Sequence, residues 1–451
     1  MRITYPSVVD HMPSDLHLLV ACPGCDLLMP NMSAGEGDTL TCPRCGTALH
    51  RYKKDSINRT AALCLVGLLL YVPAMSLPLM TFQTLGMSET ANIFQSIIAY
   101  YRQEYFLVAL MVFLSAVLFP FLKVSLGLVV ALLIKMRTFP AFLPRLFRFY
   151  IHLEDWAMVE VYLLGIMVTV IKMYDTADIS YGLGFYCFIA LVLATLGTTD
   201  VLDKRLFWAL LERHGEQIRP DTGDPALVDC RFEMMTAMEA GLICCHTCHR
   251  LAVRPESDPD LSIHCPLCGA RVHSRKPDSI ARTWALMLTA GLLFIPANFL
   301  PIMRVDYLGR PDSSTIIDGI VHFFRDGSYA VGLIILSASI LVPLFKISGL
   351  LIILLTIRFK RGIFLQQQAK MFRFIEFIGR WSMLDIFVIA ILSVLVRFGF
   401  FSSIQAAPAA TYFCTVVITT MLAAHTFDSR ILWDTCCEKD PEPQNALSKN
   451  P

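Results

Sequence analysis

Two groups of four cysteines are the residues of this chain best suited to chemistry. Each group contains two Cys-x-x-Cys pairs separated by sixteen residues, and a glycine follows the second pair. Two residues between the thiols of a pair let both sulfurs face one ion from a tight turn, and four thiolates favour tetrahedral zinc. Four protein thiolates also leave no open position for a substrate, so we predict two structural zinc ions, one in each ribbon. The predicted ligands are Cys22, Cys25, Cys42, Cys45, Cys245, Cys248, Cys265 and Cys268.

Other interpretations of these cysteines are a redox dithiol, inert side chains, or iron in place of zinc. The Cys-x-x-Cys spacing, in a chain whose first long apolar run begins too late for a signal peptide, favours a metal over disulfides. Iron stays as the alternative metal because a four-thiolate ribbon binds either ion. Four neighbours of the second ribbon are interpreted as bystanders: Cys244, His246, His249 and His264.

The composition places most of the chain in a membrane. Its 451 residues are 55% hydrophobic and 17% charged, and the mean hydropathy is +0.57. A soluble domain is about 25% charged. A spanning helix needs about 20 apolar residues, and eight runs are long enough or nearly so. These runs lie between Arg59 and Glu89 and at 105–134, 156–171, 179–199, 283–303, 327–357, 381–396 and 398–426.

The loops between these runs predict the orientation of the chain. Lysine and arginine collect before the first run, between runs two and three and after run four, and the second half repeats this bias. Because short cytoplasmic loops carry the excess of lysine and arginine, we expect both termini and both ribbons in the cytoplasm of a bacterium, with the spans in its inner membrane. A net charge of +1 gives no case for a nucleic-acid partner.

The two halves of the chain are copies of one unit. An offset of 223 residues relates the cysteines, as from Cys22 to Cys245, and after a two-residue insertion the offset is 225, as from Trp156 to Trp381. We therefore predict an all-α polytopic protein of two parallel repeats, each a zinc ribbon followed by a four-helix bundle. The predicted domains are a tail and ribbon at 1–55, a membrane module at 56–208, a linker at 209–240, a ribbon at 241–278, a membrane module at 279–433 and a disordered tail at 434–451.

Each unit also carries a short polar segment after its first span. Thr90-Ala-Asn-Ile and Ser313-Ser-Thr-Ile begin segments that have the pattern of capped amphipathic helices, on the side opposite the ribbons. We expect them to pack on the membrane surface or to contact a partner.

A lysine lies inside the second span of each unit. Lys123 and Lys346 each precede the next basic residue by twelve positions, which is about 18 Å of helix and therefore near the bilayer centre. An ammonium group there needs a partner, and Glu160 and Asp385 are the acids that lie well inside the apolar runs.

The second unit offers further polar groups near its lysine. Pro343 frees the backbone carbonyl four residues earlier, and that residue, Ser339, shares a helix face with Lys346. We predict a polar network of Ser339, Lys346, Asp385 and Thr420 inside the second bundle. The first unit keeps the secondary candidates Lys123, Glu160 and Thr195 but has Ala116 in place of the serine. The alternative interpretation is a buried ion pair that fixes helix register.

The doubled ribbons, the segments Ser56-Ile-Asn-Arg-Thr and Ser279-Ile-Ala-Arg-Thr that follow them, and the motifs that begin at Pro120 and Pro343 resemble the paraquat-inducible protein A (PqiA/LetA) family over about residues 20–435. The resemblance implies an inner-membrane subunit that loads or unloads phospholipid at a tunnel formed by a periplasmic MCE-domain protein. It also implies that the family's polar network corresponds to Ser339, Lys346, Asp385 and Thr420.

Two other functions fit parts of the same pattern. A membrane redox protein would use the ribbons as electron carriers and would contain iron, and a zinc or stress sensor would use them as a scaffold. The sequence has no Gly-x-x-x-x-Gly-Lys-[Ser/Thr] loop, catalytic triad or open metal site. We therefore expect a transporter subunit that is not an enzyme, with an ion gradient or a partner as its energy source; a Lys346–Asp385 pair suits proton coupling.

Overall fold

The computed structural model describes the two ribbons, the helices and the short sheets between them. The predicted disordered tail beyond 437 and the middle of the predicted linker, 217–234, lie outside this described part. The described residues are 19–31, 38–84, 87–173, 178–216, 235–253, 263–307, 310–325, 327, 329–359, 364–395 and 402–437.

The first unit begins with two short hairpins and continues mainly as helices. Its elements are β1 (Leu19–Ala21), β2 (Leu28–Pro30), β3 (Thr39–Thr41), β4 (Ala48–Arg51), α1 (Ser56–Ser76), β5 (Met80–Thr84), β6 (Met87–Ala91), α2 (Ile93–Arg102), α3 (Phe106–Val112), α4 (Phe119–Lys135), α5 (Leu143–Glu154), α6 (Val159–Met173), β7 (Asp178–Tyr181), α7 (Leu183–Val201) and α8 (Lys204–Glu216). A π-helical turn, Phe113–Leu118, joins α3 and α4 into one helix of 30 residues.

The second unit repeats this order. Its elements are β8 (Leu242–Cys244), β9 (Leu251–Val253), β10 (Ile263–His264), β11 (Arg271–Val272), α9 (Ser279–Phe299), β12 (Met303–Tyr307), β13 (Arg310–Ser314), α10 (Ile316–Arg325), α11 (Tyr329–Leu336), α12 (Val342–Arg358), α13 (Leu365–Ile378), α14 (Leu384–Leu395), β14 (Ser402–Ala406), α15 (Ala409–Thr426) and α16 (Ile431–Cys437). A π-helical turn, Ser337–Leu341, joins α11 and α12, and a 3₁₀ turn, Gly379–Met383, precedes α14.

Both π-helical turns end two residues before a proline of the second span. Pro120 and Pro343 have no backbone N–H, so the helix before each of them cannot keep its regular bonding pattern. In the first unit the turn leaves backbone carbonyls that accept from other helices. Tyr71 Oη donates to Val117 O at 2.6 Å, and the N–H of Met158 donates to Ser115 O at 3.2 Å. The distorted turn before the proline of the first unit thus provides carbonyl acceptors for hydrogen bonds between segments.

Six helices in the described part of the chain are long and apolar enough to cross a membrane. Two of them are the joined helices α3–α4 and α11–α12, and the others are α1, α7, α9 and α15. The remaining two predicted spans form shorter helices, α6 with 15 residues and α14 with 12. At 1.5 Å per residue these two helices are about 22 Å and 18 Å long, less than the hydrocarbon core of a bilayer.

The two short helices pack against each other at the boundary between the units. A Cβ on Gly165 of α6 would lie 3.1 Å from the Cβ of Phe387 in α14, so the absence of a side chain permits this approach. The Tyr162 ring meets the Phe387 ring edge to face at 5.2 Å, and Tyr100 Oη donates to Ile386 O at 3.4 Å. The bundles therefore lie side by side and share one apolar core.

Opposite ends of the helices carry the ribbons and two small sheets. In each unit the hairpin after the first span gains a third antiparallel strand. This strand comes from the segment between α6 and α7 in the first unit and between α14 and α15 in the second, and the strand orders are β6-β5-β7 and β13-β12-β14. We call the end with the ribbons the ribbon face and the other end the sheet face.

The predicted amphipathic helices are α2 and α10, at the sheet face. In α2 the Asn92 side chain accepts from the N–H of Gln95, and the Gln95 side chain accepts from the N–H of Asn92. Thr315 and Asp318 exchange the corresponding bonds before α10. The prediction of capped helices is confirmed. Equivalent apolar side chains stay exposed on the two helices: Phe94, Ile98 and Tyr101 in α2 and Ile317, Val321 and Phe324 in α10.

The helix α16 corrects the predicted start of the tail. It continues through 434–437, which were expected to be disordered, and Asp434 makes a bidentate ion pair with Arg275 at 2.7 Å for both bonds. The second module therefore extends at least to Cys437.

Candidate metal centres and membrane lysines

The four cysteines of each ribbon converge on one point. In the first ribbon Cys22 Sγ lies 3.5 Å from Cys45 Sγ, and Cys25 Sγ lies 3.5 Å from Cys42 Sγ. In the second ribbon the corresponding distances are 3.6 Å and 3.5 Å. Within each group all four sulfurs lie within 4.8 Å of one another, and all are buried. Zinc–sulfur bonds of about 2.3 Å in a tetrahedron place the sulfurs about 3.8 Å apart, so both groups fit a four-thiolate ion.

The electrostatics of the first ribbon also favour a cation. Hydrogen bonds to Cys22 and Cys45, together with burial, raise the pKa of Cys25 far above its usual range. Hydrogen bonds from Cys22 and Cys25 lower the pKa of Cys45. A thiolate at one position is thus stabilised by thiols at the others, and four thiolates at once need a positive ion between them.

The four predicted bystanders are not members of the second cluster in the described part of the chain. The thiol of Cys244 faces the carbonyl oxygens of Cys245 and His249 at 3.8 and 3.7 Å. The His246 ring lies against Arg430, with Nε2 2.8 Å from Nη2. Of the four, Cys244 is buried, whereas His246, His249 and His264 are exposed, and these contacts turn Cys244 and His246 to partners other than the metal site.

Each ribbon packs its metal end against the bundle of the other unit. The cysteines of the first ribbon share a buried cluster with Phe372 and Trp433 of the second unit. Arg373 Nη2 donates to Cys45 O at 3.0 Å, and the guanidinium of Arg44 lies 4.7 Å from the centre of the Trp433 ring. The sequence pattern did not indicate this exchange.

The second ribbon makes the equivalent contacts on the first unit. Its cysteines share a buried cluster with Phe147 and Trp208. Arg148 Nη1 donates to Cys268 O at 3.2 Å. Arg148 and Trp208 stand 225 positions before Arg373 and Trp433, so the exchange is symmetric in the repeat.

A charged cluster holds the two ribbons and the end of the second unit together. Arg275 donates to Asp26 at 2.9 Å and to both oxygens of Asp434. Arg430 donates to Asp428 at 3.0 Å and lies 3.7 Å from Asp26. Burial raises the pKa of Asp26, and the charges of Arg275 and Arg430 oppose that rise. Three segments far apart in the chain therefore meet in one buried set of ion pairs.

The motif serine after each ribbon joins the first and last spans of its unit. Ser56 Oγ donates to Val201 O and accepts from the N–H of Asp203, both at 2.8 Å. Ser279 Oγ makes the same bonds with Thr426 O and the N–H of Asp428, both at 2.9 Å. The repeated Ser-x-x-Arg-Thr segment thus has a structural role at the ribbon face.

The lysine of the first unit has a hydroxyl partner. Lys123 is 7% exposed, and its Nζ donates to Thr199 Oγ1 at 3.0 Å. The secondary candidate Thr195 lies one turn earlier, and its hydroxyl donates to Val192 O of its own helix at 2.8 Å. Glu160 is half-buried in the first turn of α6. Thr199 is a polar partner that the sequence pattern did not identify.

The lysine of the second unit is completely buried. Lys346 is 0% exposed, and within the described residues its Nζ makes no hydrogen bond. The position equivalent to Thr199 is Ala424, so the hydroxyl that Lys123 uses is missing in this unit. Lys346 lines a small cavity instead.

Of the other predicted network residues, Ser339 lies on the same joined helix as Lys346 and the other two lie on α14 and α15; the structure joins none of the described ones by a hydrogen bond. Ser339, in the π-helical turn, is 0% exposed and donates to Ile335 O at 2.7 Å. Thr420 is 2% exposed and donates to Val417 O at 3.0 Å. The backbone of Asp385 is the second residue of α14, and its side chain lies outside the described part. The four-residue network stays a prediction.

Comparison with known proteins gives the family. The family model of paraquat-inducible protein A matches residues 57–212 and 280–436, one match in each unit. The chain belongs to this family. The expectation from the ribbons, the repeat and the proline motifs is confirmed. No solved structure matches the chain.

Relatives match over nearly the whole length. Intermembrane transport protein PqiA of Escherichia coli K12 is 30% identical over 434 residues, which are 96% of this chain and 99% of the relative. Lipophilic envelope-spanning tunnel protein A of the same organism is 32% identical over 437 residues, 96% and 95% of the two chains. A probable intermembrane transport protein of Haemophilus influenzae is 28% identical over 419 residues, 92% and 95%.

Proposed function

We propose that this chain is the inner-membrane subunit of a system that carries phospholipid between the inner and outer membranes of a bacterium. The observation that carries the proposal is the match to a relative named for intermembrane transport, which covers 96% of the chain and therefore both units. A lipophilic tunnel in the name of one relative favours a lipid as the cargo. The partner in the proposal is a periplasmic MCE-type protein that continues the path beyond the membrane.

The proposed topology has eight crossings with the ribbon face in the cytoplasm. Lysine and arginine collect at the ribbon face, for example Lys135 at the end of α4 and Arg358 at the end of α12. Six of the crossings are the longer helices, and the short helices α6 and α14 are the other two. Both short helices lie in the apolar core that the two units share. The proposed domain limits are those predicted from the sequence, with the second module extended to Cys437.

The proposed cofactors are two zinc ions held by the eight ribbon cysteines, with iron as the alternative. A bound ion stabilises the ribbon fold by compensating four thiolate charges. The ribbons themselves position bundle residues: Arg373 and Trp433 at the first, Arg148 and Trp208 at the second. Their role in the proposal is structural.

The proposed transport site is the polar set of the second bundle, Ser339, Lys346, Asp385 and Thr420. The burial of Lys346 and the loss of a threonine at Ala424 favour this unit over the first, where Thr199 already satisfies Lys123. A buried ammonium that has lost its hydroxyl partner depends on the remaining polar groups around it. Proton exchange between Lys346 and Asp385 is the proposed coupling step.

The test is native mass spectrometry with lipid extraction on gently purified protein. We expect bound phospholipid in the wild type and a clear fall in Lys346→Ala and Asp385→Asn. The matched control is Lys123→Ala in the first unit, which should keep its lipid. Equal lipid in all four proteins would remove the second bundle as the transport site. Iron in the ribbons, with no lipid in any sample, would replace the proposal by the redox alternative.

A further inference from the structure

We propose that Lys346 is reached by water, and through it by protons, along a polar route from the ribbon face that exists in the second unit and is closed in the first. The inference deepens the proposed transport function, on which its biological meaning rests. Such a route would let the buried ammonium group exchange its proton. Two cavities and the differences between equivalent positions of the repeats support it.

The first cavity lies directly beside the ammonium group. Its volume is about 20 Å³, and Lys346, Glu376, Gly379 and His425 are among the residues that line it. A Cβ on Gly379 would lie 4.0 Å from Lys346 Nζ, which places the nitrogen at this wall. A cavity of about 10–15 Å³ on this measure holds one water molecule when two or more polar groups face it. Lys346, Asp155, Glu376 and His425 are the titratable residues that line it.

The second cavity lies between the ribbons and the second bundle. Its volume is about 320 Å³, and it is bordered by Thr47 of the first ribbon and His246 of the second. Glu376, Ala424 and His425 line both cavities, so these three residues form the wall between them. The side chains of His425 and of Asp155, another residue of the small cavity, are 36% and 43% exposed. The inner cavity is therefore one side-chain layer from solvent.

The charged groups around Lys346 come from several elements. Glu376 belongs to α13, His425 to α15, and Asp155 to the link between α5 and α6 of the first unit. His425 Nε2 lies 3.9 Å from Asp155 Oδ2. The side chains of Arg380 and Asp385, from the turn before α14 and from α14, lie outside the described part. Two acidic residues and a histidine thus line the small cavity, and Lys276, Arg373, Asp428 and Arg430 are charged residues that line the larger one.

The first unit differs at the equivalent positions. Glu154, with Oε2 2.6 Å from Lys204 Nζ, stands where the second unit has Gly379, and Asp200 stands where it has His425. Ile151 stands where the second unit has Glu376, and Thr199 stands where it has Ala424. Thr199 Oγ1 accepts the hydrogen bond of Lys123 at 3.0 Å, whereas Ala424, at the equivalent position, lines the small cavity beside Lys346. The repeat therefore contains both an open and a closed version of the same path.

Hydroxyl-radical footprinting of the full chain in lipid nanodiscs tests the route. Met421 lines the small cavity and is 5% exposed, while Met75, in the first unit, is 3% exposed. Radicals formed from internal water oxidise a neighbouring methionine in spite of its burial. We expect Met421 to be oxidised several-fold faster than Met75 in the wild type. Ala424→Thr, which copies the first unit, should remove that difference.

Glu376→Ile provides a second closed variant, so the test does not depend on how one substitution folds. Zinc content and thermal unfolding check the fold of each variant. Oxidation of Met421 no faster than that of Met75, or unchanged by both substitutions in folded protein, would overturn the route. Bound phospholipid, measured on the same samples, reports separately on the proposed function: lipid retained without the Met421 signal rejects the route alone.

Discussion

Arg373 of α13 donates a hydrogen bond to the carbonyl oxygen of Cys45, a predicted metal ligand of the other unit, at 3.0 Å. Arg148 makes the equivalent bond to Cys268 at 3.2 Å. The two bonds show that the ribbons are exchanged between the units: each ribbon precedes one bundle in the sequence, and its cysteines pack on the other bundle. Glu376 follows Arg373 by one turn of the same helix, so this ribbon contact also reaches the neighbourhood of Lys346.

Replacing Arg373 by alanine should loosen the first ribbon. The guanidinium also donates to Thr47 Oγ1 at 2.5 Å, and hydrogen bonds from a charged donor contribute about 1.5–3 kcal/mol when partly buried. We expect faster amide hydrogen exchange in β3 and β4 and faster release of the first ion to a chelator. Arg148→Ala is the matched control and should have these effects in the second ribbon. Equal effects of either variant on both ribbons would contradict the exchange.

Removing one metal ligand should disturb the opposite bundle. Cys25→Ser should lower the metal content from about two ions per chain to about one, since four thiolates are needed for a closed site. We expect increased hydrogen exchange in α13 and α16 of the second unit, which pack on the first ribbon. Cys248→Ser should instead affect α5 and α8. Exchange changes confined to the bundle that follows the altered ribbon in sequence would contradict this packing.

Replacing Thr199 by alanine should destabilise the first bundle. The change removes the oxygen that accepts from Lys123, and a hydrogen bond from a charged donor contributes about 1.5–3 kcal/mol. Thermal unfolding in detergent measures the effect. Thr195→Ala is the control, because that hydroxyl bonds to its own helix, and it should cost much less. A Thr195 variant at least as destabilised as the Thr199 variant would count against the pairing.

Substitution of Ser279 by alanine should separate the first and last spans of the second unit at the ribbon face. Two hydrogen bonds are lost, at about 1 kcal/mol each, and the N–H of Asp428 is left without its acceptor. We expect a lower unfolding temperature and faster exchange at the start of α9. Ser337→Ala is the control, since that hydroxyl is exposed and bonds to its own helix. No difference between these two variants would remove the structural role of the motif.

The sequence predicted the features that depend on local spacing. A Cys-x-x-Cys pair indicates a metal-binding turn wherever the ribbon packs in the structure. A constant offset between matching residues indicates a repeat, whatever the packing of its two copies. The capped helices α2 and α10 were predicted for the same reason, because the capping residues are three positions apart.

Features that depend on distant contacts could not be predicted in this way. The exchange of ribbons is decided by Trp208 and Trp433, whose partners are far away in the chain. Glu160 was the predicted partner of Lys123 and Thr195 a secondary candidate, but the hydroxyl to which the long lysine side chain donates is that of Thr199, one turn beyond Thr195. The apolar runs of α6 and α14 were predicted as membrane spans, and such a pattern also fits a helix packed in the apolar core that the two units share.

The exchanged ribbons have a consequence for how such a chain arises and for what half of it can do. A single unit has a ribbon and a bundle that do not contact each other at the metal end, because the surface around Phe147 and Trp208 receives the ribbon of the other unit. Two copies of one unit can satisfy both surfaces by trading ribbons, which is the geometry of a domain-swapped dimer. Joining the copies in one chain makes that trade permanent, so neither half has a complete interior without the other.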